Sequence, residues 1–160
     1  MRRDPRLVRL SEEHHHGLVF ALRLERELPG ADGQALAGLY ADLVRFWARG
    51  LLPHFHAETE CLLARLLRHT SPEDGRVTRL QRDHLAMEAL VARMRDAGGD
   101  GERREALAAF GETLRAHIRW EERDLFEALQ ETLTPSELDA AGREIEERLP
   151  KTTRAPWAEV

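Results

Sequence analysis

The sequence predicts an all-α protein, an antiparallel up-down-up-down four-helix bundle with a short C-terminal helix. Three observations predict it. Alanine, leucine, arginine and glutamate dominate the chain, while valine, isoleucine, tyrosine and threonine are sparse, which is a helix-forming composition. Turn signals cut the chain into four long pieces, one short piece and a tail. Within the long pieces apolar residues recur at helical spacing, and long helices joined by short links pack best as antiparallel neighbours.

The elements follow in order. Ser11 is expected to cap a first helix that runs to Leu28, where Pro29-Gly30-Ala31-Asp32-Gly33 ends it. A second helix runs from about Gln34 to His69, with a kink or local break expected near Gly50 and Pro53. Ser71-Pro72-Glu73-Asp74 supplies a cap serine, a proline at the first helical position and acids in the first turn of a third helix. Gly98-Gly99-Asp100-Gly101 ends that helix, and a fourth runs from about Glu102 to Leu133. Thr134-Pro135-Ser136-Glu137 repeats the capping logic and opens a short fifth helix to about Leu149, leaving residues 151–160 as at most an ordered tail. The chain, 1–160, reads as one domain with its bundle core at about 7–133 and a C-terminal helix and tail over 134–160.

Composition excludes several classes of function. A charged fraction of 33% beside 42% hydrophobic residues describes a globular chain, not a disordered one. The net charge of -5, with acids interleaved among the arginines, argues against nucleic acid as a partner. One cysteine, Cys61, removes any intramolecular disulfide scaffold and fits a reducing compartment. No apolar run approaches the roughly 20 residues of a membrane span, and the N-terminus has no signal-peptide pattern, so no membrane partner and a cytoplasmic location are expected. There is no phosphate loop, zinc-finger cysteine pattern or serine nucleophile motif.

The apolar stripes carry the anomaly. The second helix presents Leu36, Tyr40, Leu43, Trp47, Leu51, then His54, Glu58, Leu62 and Leu66. The fourth presents Leu107, Phe110, Leu114, then His117, Glu121, Leu125 and Ala128. Each core-facing stripe is thus interrupted by a histidine and a glutamate four residues apart, a spacing that puts both side chains on one helix face. Buried ionisable groups are costly unless something pairs with them. One such pair is usually a salt bridge; here the pattern occurs twice, and the other two helices match it. Leu7, Leu10 and His14 align with Val77, Leu80 and His84, so each half of the chain holds a helix with a core histidine followed by a helix with His-x-x-x-Glu. In an antiparallel bundle His14, His54, Glu58, His84, His117 and Glu121 can meet at one level of the core. Imidazole and carboxylate without thiolate suit iron, manganese or zinc, and the two glutamates are placed to bridge two ions.

The order His, His-x-x-x-Glu, His, His-x-x-x-Glu on four helices resembles the hemerythrin-like family, the HHE cation-binding domain. The strings Leu-Ser-Glu-Glu-His-His-His-Gly-Leu and His-Ile-Arg-Trp-Glu-Glu-Arg-Asp-Leu-Phe are similar to its signatures, and the resemblance covers roughly residues 7–133. It implies an up-down bundle around a non-haem di-iron centre with His14, His54, Glu58, His84, His117 and Glu121 as ligands. The oxygen carriers of that family have a His-x-x-x-His pair on the third helix, where this chain has Leu80 before His84. Their last ligand is an aspartate five residues after the final histidine, where this chain has Glu121 at four and Glu122 at five. Reversible oxygen carriage is therefore not expected. Two six-coordinate irons offer roughly twelve positions, of which two bridging glutamates and four histidines fill about eight. The remainder suits a small diatomic or peroxide ligand.

Neighbouring residues leave choices open. His14 is favoured over His15 as the first-helix ligand by helical phase, but His15 shares a stripe with Val8, Leu18, Val19 and Leu22. His16 is expected to face solvent; His56 and Glu60, about 200° around the helix from His54, are expected at the surface or behind the ligands, and would join them if a kink at Pro53 shifts the phase. Trp47 and Tyr40, one and two heptads before His54, read as core aromatics, with a place lining the cavity above the metals as the alternative, and Cys61 reads as a small buried hydrophobe. The reading is a di-iron protein acting on dioxygen, peroxide or nitric oxide in sensing, storage or detoxification, with binding and turnover both left open. Two alternatives stand beside it: a redox-inactive iron or zinc module, whose spectrum would lack oxo-bridge absorption, and a metal-free structural bundle, whose stability metal removal would leave unchanged.

Overall fold

The computed structural model describes residues 3–149, 151 and 155–158, and every regular element among them is helical. Helix α1 is Val8–Glu27, α2 spans residues 33–66, α3 is Gly75–Asp96, α4 spans residues 100–132 and α5 is Pro135–Arg148. No helix among the described residues is long and apolar enough to cross a membrane.

Two of the expected caps move. The first helix begins before Ser11: Asp4 accepts the Arg6 N–H at 2.9 Å, and Pro5–Leu7 make a tight turn that leads directly into α1. Asp4-Pro5 is itself a cap residue followed by proline, about two turns upstream of Ser11. Ser11 then lies inside α1, and its hydroxyl donates to Glu122 Oε1 at 2.7 Å. Likewise Ser71 caps only a turn, accepting the Glu73 N–H at 3.1 Å, and the cap of α3 is Asp74, which accepts the Arg76 N–H at 2.8 Å. The Thr134–Glu137 capping box forms as the sequence spells it.

The expected break in α2 is instead a change of winding. Trp47–Leu51 form a π turn in which the Leu52 N–H bonds the Trp47 carbonyl, five residues back, and Pro53 follows at the start of Leu52–Ala57. A wider turn just before the proline absorbs its missing N–H and ring without stopping the helix. Further π turns begin at Glu58, over Glu58–Leu63, and at Glu121, over Glu121–Leu125.

Chain order reverses across three of the helix pairs. Along α1 and α4, Gly17 meets Ile118, Leu24 meets Gly111, and the Ala31 carbonyl just beyond α1 accepts from Arg104 at 2.7 Å. Along α1 and α2, Phe20 meets Phe46 at 5.1 Å and Arg23 pairs with Asp42 at 2.6 Å. Along α3 and α4, the His84 and His117 rings lie 4.9 Å apart and Arg93 pairs with Glu105 at 3.3 Å. At Gly17 an added Cβ would stand 2.6 Å from Ile118 Cδ1, so glycine lets α1 approach α4 one turn beyond His14.

Two apolar clusters fill the interior. One contains Phe20, Leu43, Phe46, Met87, Phe110 and Leu114; the other contains Leu10, Leu62, Leu66, Leu80, Phe126 and Ile145, the last contributed by α5. The level that holds His54, Glu58, His117 and Glu121 separates them. Trp47 is a core aromatic, set edge-on to Phe55 and Phe110, and Cys61 is buried, both as expected. Of the tail, Trp157 packs 5.2 Å from both Phe20 and Phe46, and Arg45 donates to its carbonyl at 3.0 Å. Of the expected tail, residues 152–154, 159 and 160 lie outside the described residues.

Candidate metal centre

Four helices deliver the six residues that sequence spacing singled out. His14 comes from α1, His54 and Glu58 from α2, His84 from α3, and His117 and Glu121 from α4. They form two overlapping groups: His14, His54, Glu58 and Glu121, and Glu58, His84, His117 and Glu121, each with donor atoms within 4.8 Å of one another. A metal ion about 2.1 Å from each donor fits inside such a group. Both groups share the two glutamates, so the two positions are adjacent and joined by carboxylates.

Imidazole Nε2 atoms point inward. His54 Nε2 lies 2.9 Å from Glu58 Oε1, and His84 Nε2 lies 3.3 Å from Glu58 Oε2. His117 Nε2 and His14 Nε2 lie 3.2 and 3.1 Å from Glu121 Oε2. His14 Nε2 is also 3.1 Å from His54 Nε2. Glu58 and Glu121 are 0% exposed, and none of their four carboxylate oxygens has a hydrogen-bond partner among the described residues. Buried carboxylate oxygens without donors are costly. A cation among them supplies what no protein donor does, so the residues present fit a metal.

Electrostatics without a cation lead to the same point. Burial and the nearby charge of Glu58 hold the Glu121 pKa well above the ordinary value. Burial pushes Glu58 upward too, but the charge of His54 and the close imidazoles of His14, His54 and His84 bring it well below the usual range. Burial works to lower the His14 pKa, yet Glu121, Glu122 and Glu58 raise it well above an ordinary imidazole. Burial lowers that of His117.

His15 is exposed and belongs to neither group, because α1 turns its face about 100° from that of His14. His56 and Glu60 are exposed as well, and Glu60 pairs with Arg148 on α5. His16 is half-buried beside Trp157, not fully solvent-facing as expected, because the tail folds onto that part of α1.

Three contacts around the cluster were not readable as such. Glu122 Oε1 accepts from His14 Nδ1 at 2.7 Å. The Asp83 carboxylate lies 3.6 Å from His117 Nδ1, and this imidazole, against burial and with help from Arg82, holds its pKa at about 2. Phe55 stacks on His84 with ring centroids 3.8 Å apart. Asp83 directly precedes a candidate ligand, but its partner lies on another helix, and sequence spacing carries no information about such a pair.

A cavity of about 10 Å³ opens onto His14, His54, His117 and Glu121, walled by Gly17, Phe46, Gly50, Leu51, Leu114 and Ile118. That is room for roughly one water-sized molecule.

Comparison with known proteins gives one family match. The family model described as the hemerythrin HHE cation-binding domain matches residues 6–129. Neither the curated proteins nor the solved structures return a match to the chain. The matched span covers α1 to α4 nearly to its end and takes in all six candidate ligands. The chain belongs to the hemerythrin HHE cation-binding domain family.

Proposed function

We propose that this chain is a non-haem di-iron protein, built as an up-down-up-down antiparallel four-helix bundle and working in the cytoplasm, that binds or reacts with dioxygen, peroxide or nitric oxide. One observation carries the reading: two fully buried glutamates with unpartnered oxygens are shared by two four-residue groups of metal-ligand type. His14 and His54 would hold one ion, His84 and His117 the other, with Glu58 and Glu121 bridging them. Bound irons would supply Lewis-acid and redox chemistry toward a small oxygen or nitrogen species. The chain's own contribution is to fix the imidazoles, hold negative charge between the ions and limit access. The walls of the small cavity are apolar apart from Glu13 and the candidate ligands, and room for roughly one water-sized molecule suits a very small ligand. Sensing, storage and detoxification all draw on this same arrangement.

The test is metal content by elemental analysis with an ultraviolet–visible spectrum of the same aerobic sample. About two irons per chain, and absorption that changes on adding peroxide or nitric oxide, are expected. A chain that takes up no metal after anaerobic incubation with ferrous iron would overturn the reading. Stable zinc occupancy with no iron uptake would leave a redox-inactive cation module.

A further inference from the structure

His14 is bracketed by consecutive glutamates, one at each ring nitrogen. Glu121 Oε2 stands 3.1 Å from Nε2 on the inner side, and Glu122 Oε1 stands 2.7 Å from Nδ1 on the outer side. A π turn begins at Glu121, so both glutamates lie where the winding of α4 widens. Glu122 is in neither ligand group. Its carboxylate is instead held from outside. Ser11 donates to Oε1 at 2.7 Å, while Arg3 pairs with Oε2 and donates to the Glu122 carbonyl at 2.6 Å. Arg3 also lies 4.5 Å over the Phe126 ring, on which His14 itself stacks at 5.3 Å.

We propose that Glu122 is a positioning residue for the metal centre: it fixes His14 with Nδ1 protonated and Nε2 free to ligate, and strengthens that imidazole as a donor. An ionised carboxylate only accepts, so Nδ1 must donate to it, and the lone pair is then on Nε2, facing the glutamates. A carboxylate behind a ligating histidine fixes ring orientation and raises ligand basicity. None of the other buried histidines has this support. His54 Nδ1 has no hydrogen-bond partner among the described residues, and Asp83 stays 3.6 Å from His117 Nδ1. The inference rests on the metal reading above and assigns a role to the glutamate five residues after His117, a position at which the chain departs from the oxygen carriers it resembles.

The test compares wild-type protein with Glu122→Gln, which keeps the shape and an acceptor oxygen but removes the charge. Iron affinity is measured by competition with a chelator, the iron(III)/iron(II) midpoint potential by redox titration, and the metal-free Tm by calorimetry. The expected result is about 10- to 100-fold weaker metal binding, a higher midpoint potential, and a metal-free Tm close to wild type. Unchanged affinity and potential in a variant that still folds would overturn the proposal. Should Glu122→Gln lower the metal-free Tm, Glu122→Asp decides: recovery of affinity beyond recovery of Tm supports the positioning role, and parallel recovery assigns a structural one and overturns it. Wild-type protein that takes up no metal overturns this inference together with the reading beneath it, whereas wild-type uptake with an indifferent Glu122→Gln overturns this inference alone.

Discussion

The two halves of the chain contribute equivalent donors in unequal surroundings. In the first half His14 is enclosed, stacked on Phe126 and hydrogen-bonded to Glu122 at 2.7 Å. In the second half His84 is partly exposed and stacked on Phe55, its neighbour Leu85 is 65% exposed, and His117 has only a longer contact to Asp83. The repeat of histidine, then His-x-x-x-Glu, dictates which donor types meet. It does not dictate what stands behind them, because those partners come from other helices and do not repeat. A quasi-symmetric set of candidate ligands thus sits in two non-equivalent surroundings.

The strongest way to break this comparison is to remove what the halves share. Glu121→Ala is expected to abolish binding at both positions, seen as loss of both ions by elemental analysis, since Glu121 belongs to each group. Retention of one ion would show that the groups are independent. The same buried carboxyl is a burden without metal, so the isosteric Glu121→Gln should hold the metal-free Tm at or above wild type while still impairing metal uptake.

Next in size is the choice within the histidine run. His14→Ala should lower metal content strongly and His15→Ala should leave it unchanged, because His15 is exposed. Equal losses would remove His14 from its assigned place. A smaller effect sharpens the contrast between the halves. Asp83→Asn should weaken metal binding less than Glu122→Gln does, since 3.6 Å is beyond a normal hydrogen bond and 2.7 Å is within one. The reverse order would place the stronger support in the second half.

The smallest effect tests a region remote from the metals. Thr134→Ala removes the cap of α5 and should cost about 1 kcal/mol by chemical denaturation, with metal content unchanged. Its partner Glu137 has its pKa lowered from 4.5 to about 2, first by the Thr134 N–H and then by His69. A depressed folded value means that its contribution to stability is complete above the unfolded pKa and is lost as the pH falls toward 2. Stability measured between pH 5 and 2 should therefore fall less steeply in Glu137→Gln than in wild type.

Much of this site was legible because metal ligation on helices is a problem of periodicity. The interval of four from His54 to Glu58 and from His117 to Glu121, on stripes that were otherwise apolar, marked six residues that the fold gathers into two overlapping groups of metal-ligand type. The Thr134–Glu137 box was legible for the same reason, since a capping box is closed within four residues. Ser11 and Ser71 misled because a cap competes with its neighbours. Asp4-Pro5 and Asp74 each hold a helix start close by, and an aspartate next to a free N–H outbids a serine that finds another partner.

By itself the sequence determined the helical class, the register of each helix face and the donor set at the core, because all three depend on residues within a few turns of one another. Tertiary structure alone decided that His14 and not His15 turns inward, that α2 passes Pro53 through a π turn without breaking, and that Glu122 and Asp83 stand behind particular imidazoles. Those outcomes depend on how close one helix comes to another and at what rotation. Interhelical packing sets both, through contacts such as Gly17 against Ile118 that join residues about a hundred positions apart in the chain.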